Sequence, residues 1–316
     1  MLGGSCYAPL VNTLADIVYR GCKLNDSQIE ASRVPGTGIG TGISGSMVDD
    51  WDFSDADVIQ YMEKRSLQDG MDAGDVFIGA RRLRMSGTLY DTTRALLFDR
   101  YWAFLAACNP VLAQRDSPAD KGYCPLYFSV PTNDVVNYPA GVIPLRVLAI
   151  PRAKQIVWRR DQQGGVEGNA LAIPWQVTFQ QRDPNIYAQD PQDYDLSAGG
   201  TVSGNLVNRG TYITRPNMLV QVGPDAGSIA MTIAGVTVTI TVPASSGVRI
   251  IRYKGIDKIL TVEEGNIEVT RYDLLSLGTQ IAHPIVPPGT SAYTVTFTGV
   301  TPQAGSHLWY WETYAG

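Results

Sequence analysis

From residue 123 to residue 311 the chain is an almost unbroken β pattern, interrupted by Pro, Gly and Asn and by no helical periodicity. Candidate strands run Leu126 to Val130, Val142 to Ile150, Gln155 to Arg160 and Ala170 to Gln181, with Gln162-Gln163-Gly164-Gly165 as a hairpin turn. Nine further short runs lie between Val202 and Trp311, rich in Thr, Val and Ile, as in Val236 to Val242 and Tyr293 to Thr298. Short strands at regular spacing between Gly and Pro turns specify a β-sandwich or jelly roll.

Between these two sets the composition shifts to Asp, Pro, Gln and Tyr without periodicity, which marks residues 183–200 as a linker. A chain of 316 residues is expected to divide. The division predicted is an N-terminal domain over 1–190 and a C-terminal sandwich over 201–316. Within the first, Arg82 to Tyr90 alternates around Leu83, Met85 and Leu89 and carries Gly87, the pattern of a half-buried strand. A helix over about 91–108 follows, capped by Asp91, with Leu97, Tyr101, Phe104, Leu105 and Cys108 at helical spacing and Asn109-Pro110 as its end. Val58 to Met62 and Val76 to Ile78 read as short elements. The first 50 residues show no clean period, and Gly36 to Gly45 (GTGIGTGISG) reads as a loop. The fold class expected is mainly β with one long helix.

Apolar residues make up 44% and charged ones 17%, a surface with few charges that points toward assembly. Twenty-five basic against 30 acidic residues give a net charge of -5, without the basic patch that nucleic acid requires. Arg81, Arg82 and Arg84 read instead as a solvated or interface face. Cys6, Cys22, Cys108 and Cys124 form no CxxC spacing, and Met-Leu-Gly-Gly lacks the features of a signal peptide, so folding in a cytoplasm with reduced thiols is expected. No apolar run reaches the roughly 18 to 20 residues of a membrane span.

The candidates for chemistry each meet an objection. Gly36 to Gly42 lacks the preceding strand and closing Gly-Lys-Ser/Thr of a phosphate loop. Asp49, Asp50, Asp52, Asp55 and Asp57 lack the central glycine and terminal glutamate of a calcium loop and read as a solvated acidic turn. His283 and His307 have no Cys or His at ligand spacing and no nucleophile motif beside them. Glu263 and Glu264 point to opposite faces of a strand and precede a Gly265-Asn266 turn. No catalytic, cofactor or metal residue is expected. In the aromatic end, Leu308 to Tyr314, Trp309 and Trp311 share one face, and are expected to close the sandwich core or to stack on a sugar.

Three segments carry a resemblance: RRLRMSGTLYDTTRALLFDRYWAFLAACNP at Arg81 to Pro110, WQVTFQQRDPNIY at Trp175 to Tyr187, and GTVSGNLVNRGTYITRPNMLVQV at Gly200 to Val222. In content and order the chain resembles the distal tail protein (Dit) family of long-tailed, siphovirus-type bacteriophages. The resemblance implies a structural baseplate protein of the virion tail tip, made in the host cytoplasm and without catalytic residues. Its N-terminal β-rich ring (belt) domain would close a homo-hexamer, and its C-terminal domain would be a galectin-like sandwich. The partners implied are other copies of itself, the tail tube protein, and the tail-tip hub and receptor-binding proteins. On this reading Arg82, Arg84 and the following helix serve the inter-subunit contact. The first 50 residues depart from the family's short opening strand. The alternative is a carbohydrate-binding adhesin that grips host glycans through Trp309 and Trp311.

Overall fold

A computed structural model describes residues 16–26, 33–34, 38–39, 44–53, 58–64, 71–78, 81–118, 120–152, 165–167, 170–182, 185–255, 257–276 and 283–315. The chain forms two compact units, divided between Ile186 and Tyr187.

The first unit is built on strands β1 (Ile17–Tyr19), β2 (Cys22–Asn25), β3 (Gly45–Phe53), β4 (Arg82–Asp91), β5 (Cys124–Pro131), β6 (Val142–Pro151) and β7 (Ala170–Gln181). They lie side by side in the order β2-β1-β5-β6-β7-β4-β3, every neighbouring pair antiparallel. The two ends of this row return to each other. Asp26 N–H donates to the Ser46 carbonyl at 2.8 Å, Ser46 Oγ donates to the Leu24 carbonyl at 2.8 Å, and Val48 N–H donates to Asn25 Oδ1 at 2.8 Å. The sheet therefore curls on itself, which covers both edges. Gly165–Glu167 adds to β7, while Val58–Lys64 with Met71–Ile78, and Arg33–Val34 with Gly38–Ile39, form separate hairpins.

Leu83, Met85 and Leu89 of β4 and Ile173, Trp175, Val177 and Phe179 of β7 fill the core. Gly87 pairs with Trp175 across the two strands, and a Cβ built on it would sit 2.7 Å from the Trp175 ring and 2.1 Å from the Met47 carbonyl oxygen. Only glycine leaves room for the indole, whose N–H reaches over to Ser46 Oγ at 3.2 Å.

Several expectations change here. The first 50 residues supply β1, β2 and most of β3. The glycine-rich stretch is not wholly loop, since Gly38–Ile39 is paired and Gly45 opens β3. Asp49, Asp50 and Asp52 belong to that strand and not to an acidic turn; Asp49 accepts from Thr88 Oγ1 at 3.0 Å on the neighbouring strand. The expected strand Gln155 to Arg160 and the turn at 162–164 lie outside the described residues.

The second unit is a sandwich of β8 (Gln192–Asp195), β9 (Thr201–Asn208), β10 (Asn217–Val222), β11 (Gly227–Ile233), β12 (Val236–Val242), β13 (Arg249–Lys254), β14 (Ile259–Glu264), β15 (Ile267–Thr270), β16 (Gly289–Thr298) and β17 (His307–Tyr310). One sheet runs β8-β17-β10-β13-β14-β15 and the other β9-β16-β11-β12. One cluster of buried side chains draws on both: Met218, Val220, Ile251, Tyr253 and Leu308 from the first, Ile229, Met231, Val238, Ile240, Val295 and Phe297 from the second. The alternation of Val236 to Val242 is borne out, with Val238, Ile240 and Val242 inward. Residues 183–200 are not the structureless linker expected, since Gln192–Asp195 forms the edge strand that pairs with β17.

Arg249 is the largest fully buried side chain among the described residues. Its guanidinium donates to the carbonyls of Gly223 at 3.0 Å, Asp225 at 2.9 Å and Pro243, tying the β10–β11 loop to the β12–β13 loop. Gly265 and Asn266, both at positive φ, make the tight turn from β14 to β15. Ala234-Gly235 makes the same kind of turn from β11 to β12, with φ of 48° at Ala234, a conformation alanine pays to adopt. Ala234→Asn is therefore expected to stabilise the protein by about 0.5 to 1 kcal/mol, read as a raised thermal midpoint.

Candidate assembly surfaces

Two helices follow β4, where one was expected: α1 (Arg94–Ala107) and α2 (Pro110–Asp116). The cap of α1 is Thr93, whose side chain accepts from Leu96 N–H at 3.3 Å, and not Asp91. Asp91 is buried and forms an ion pair with Arg100 at 3.2 Å. Asn109-Pro110 ends one helix and starts the next: Asn109 Oδ1 accepts from Val111 N–H at 2.9 Å, and Pro110 fills the first helical turn, where it needs no N–H. Arg20, in the β1–β2 turn, donates to the carbonyls of Ala106 and Ala107 at 3.1 and 2.9 Å and pairs with Asp116. A cation there answers both the orphan carbonyls and the negative end of the helix.

The inward face of α1 is Leu97, Tyr101, Phe104 and Ala107, with Phe104 packed on Trp175 at 4.9 Å between ring centroids. Its outward side carries two large apolar residues, at the two margins of a strip that also holds exposed Asp99. Leu96 is 50% exposed and Trp102 63%, and Val111 of α2 is 71% exposed. A helix with large apolar residues on both sides is one that expects a second neighbour.

Arg82 and Arg84 are both exposed on β4. They lie on the face opposite Leu83 and Met85, hence opposite the helices, so the two features expected to serve one contact occupy opposite faces of the sheet. Arg84 stands in register with Asp52 of β3 and faces the side-chain amide of Gln176 on β7.

In the second unit Leu308 and Tyr310, not Trp309 and Trp311, enter the core. Tyr310 can be buried because its hydroxyl donates to the Val207 carbonyl at 2.9 Å and meets the Tyr194 hydroxyl at 3.3 Å. Trp309 is half-buried on the outer face, 4.5 Å from the His307 ring, and His307 Nδ1 lies 3.1 Å from Asp193 Oδ2. Trp311 is likewise half-buried, beyond the end of β17. Glu263 forms an ion pair with Arg252 at 2.6 Å.

Among the described residues no group of three His, Cys, Asp or Glu is placed to hold a metal ion. Burial pushes the Cys22 thiol up to about 11, partly offset by Arg100, and raises the wholly buried Cys108 well above its ordinary value, so neither offers a thiolate at neutral pH. His283 meets the Tyr253 hydroxyl at 2.7 Å, and burial together with Lys258 and Arg215 holds it below its ordinary value, in the neutral form. No helix among the described residues is long and apolar enough to cross a membrane.

No protein-family model matches the chain, and no curated protein does. Solved structures match. The chain is similar to the crystal structure of the phage SPP1 Dit (gp 19.1) protein, described as a paradigm of the hub adsorption apparatus in phages infecting Gram-positive bacteria. The TM-score is 0.51 and the identity 13%, over 95% of this chain and 99% of that one. The phage p2 baseplate in its activated conformation, with strontium and with calcium, matches at a TM-score of 0.44 and 7% identity, over 84% of this chain and 89% or 90% of that one.

Proposed function

We propose that this chain, which has the fold of the SPP1 Dit protein, is a structural tail-tip protein of a tailed phage. Six copies close into a ring that joins the tail tube to the hub and receptor-binding proteins. The observation that carries this is the likeness to a phage Dit protein along nearly the whole length of both chains. The exposed apolar residues on the outward side of α1 support it, because a patch of this kind on a soluble subunit marks a place where another surface lies. The first unit is the ring-forming belt and the second, residues 187–315, a galectin-like sandwich that docks partners. The role is mechanical and needs no catalytic group.

Light scattering on the purified full chain tests the ring: a mass of six protomers is expected, and a monomer at all concentrations removes the reading. Arg82 and Arg84 are assigned to the contact between copies. Reversing both, Arg82→Glu with Arg84→Glu, is expected to shift the hexamer to smaller species at moderate salt, since rim charges govern association and like charges across a contact repel. A ring of unchanged mass takes these two residues out of the contact.

The outward position of Trp309 beside His307 and Asp193 favours a second use of the sandwich, the gripping of host glycans by a half-buried ring on its outer face. Trp309→Ala is then expected to abolish binding on a glycan array while the melting curve stays put. Binding that survives the substitution places any glycan site elsewhere.

A further inference from the structure

A ring in which each copy meets the next head to tail requires two different patches on every copy. Among the described residues of the first unit, the large apolar side chains that stand more than a third exposed are Trp51, Leu96, Trp102, Val111, Val135 and Val136. Trp51 leans on Phe128 at 5.6 Å between ring centroids. The other five fall in two places: Leu96, Trp102 and Val111 on the outward side of α1 and α2, and Val135 and Val136, 62% and 87% exposed, at the tip of the β5–β6 hairpin.

The tip is built to hold its shape. Asp134 accepts from Asn137 N–H at 3.1 Å and from Asn137 Nδ2 at 2.8 Å, Asp134 N–H donates to Thr132 Oγ1 at 3.1 Å, and Tyr138 N–H donates to the Asp134 carbonyl at 2.9 Å. Two bare valines on a pre-ordered loop can enter a partner surface with little further loss of conformational freedom.

A copy cannot bring its own tip to its own helices. α2 packs beside Ile150, at the end of β6 away from the tip, whereas Val142, at the base of the tip, lies eight residues back along the same strand. At about 3.3 Å per residue the two are separated by roughly 25 Å. Each patch leaves on the order of 200 to 400 Å² of apolar surface, against about 450 Å² of apolar area in one partner's half of a standard interface. One tip on one helix pair supplies most of such a contact.

We infer that the Val135–Val136 tip of one copy seats on the Leu96, Trp102 and Val111 face of the next copy, and that this is the apolar centre of a head-to-tail contact. The inference rests on the ring reading above and specifies which surfaces close it.

The test is a pair of cysteines, Val136→Cys with Trp102→Cys, in the full chain with Cys6 and Cys22 replaced by serine, treated with a short bismaleimide, beside each single variant and the chain without either added cysteine. The double variant is expected to give a ladder of covalent multimers and each single variant none. Rings seen by light scattering without that ladder overturn the contact and leave the ring standing. Either single variant crosslinking to itself also overturns it, because the pairing is then like with like. A ladder without a closed ring supports the contact and removes the ring. A chain that stays monomeric and uncrosslinked overturns both.

Discussion

Gly87→Ala is expected to cost about 4 kcal/mol, seen as a fall in the denaturant midpoint followed by tryptophan fluorescence. The added carbon would stand 2.1 Å from a backbone oxygen of β3 and 2.7 Å from the Trp175 ring. The backbone atom can yield only if β3 and β4 part, and eight residues of β3 are paired there. The ring can yield only by leaving Ser46 and Phe104, which link it to the curled edge of the sheet and to α1. Ordinary overpacking costs about 1 to 3 kcal/mol, and here a neighbouring strand and an aromatic anchor are displaced together. A cost below about 1 kcal/mol would mean that the Trp175–Gly87 fit does not hold the sheet in place.

Arg249→Met is expected to destabilise the protein by about 3 kcal/mol in the same measurement. The methionine keeps the volume of the buried stem but removes the guanidinium donors to the backbone carbonyls of Gly223, Asp225 and Pro243. Each carbonyl of these part-buried bonds left without a donor costs roughly 1 kcal/mol, since Asp225 and Pro243 stand at the surface where water can replace the donor, and three of them sum to about 3 kcal/mol. Arg249→Lys is expected to recover only part of the loss, because one ammonium cannot reproduce a planar fork that reaches three oxygens on two loops. If methionine is tolerated with no change in midpoint, the two loops are held by something other than this guanidinium.

The sandwich was legible because strands such as Val236 to Val242 carry a two-residue period that only one phase can bury. The same rule fails at Leu308-Trp309-Tyr310-Trp311, where every position is apolar or aromatic. There the period is readable and the phase is not. The phase is settled by hydroxyl partners for Tyr310 that come from Val207 and Tyr194, more than a hundred residues away. The β1–β2 hairpin left little trace, since its turn uses Arg20-Gly21 at positive φ in place of the usual Asn-Gly. An arginine tolerates that backbone here because its side chain is committed to the end of α1. Asn109-Pro110 reads as a helix stop and also as a helix start, and sequence cannot say which of the two applies when both do. The apolar residues on the outward side of α1 were present in the sequence as Leu96 and Trp102, but an apolar residue on a helix is assigned to the core until the core is seen to be full. The tip valines could not be found at all from pattern, because their exposure depends on where β5 and β6 end.

The pairing of Gln192–Asp195 with His307–Tyr310 has a consequence for how the second unit is made. β17 lies between β8 and β10, so it supplies the missing neighbour of both. Until the ribosome has read past Tyr310, β8 has no partner in that sheet, and β10 presents an open row of backbone donors and acceptors to every other nascent copy nearby. Contacts between residues this distant along a chain form late, and a half-made sheet is then most exposed to pairing with the wrong molecule. A protein made in many identical copies has strong reason to keep that interval short, and the strand that ends it is the one where Leu308 and Tyr310 enter the core.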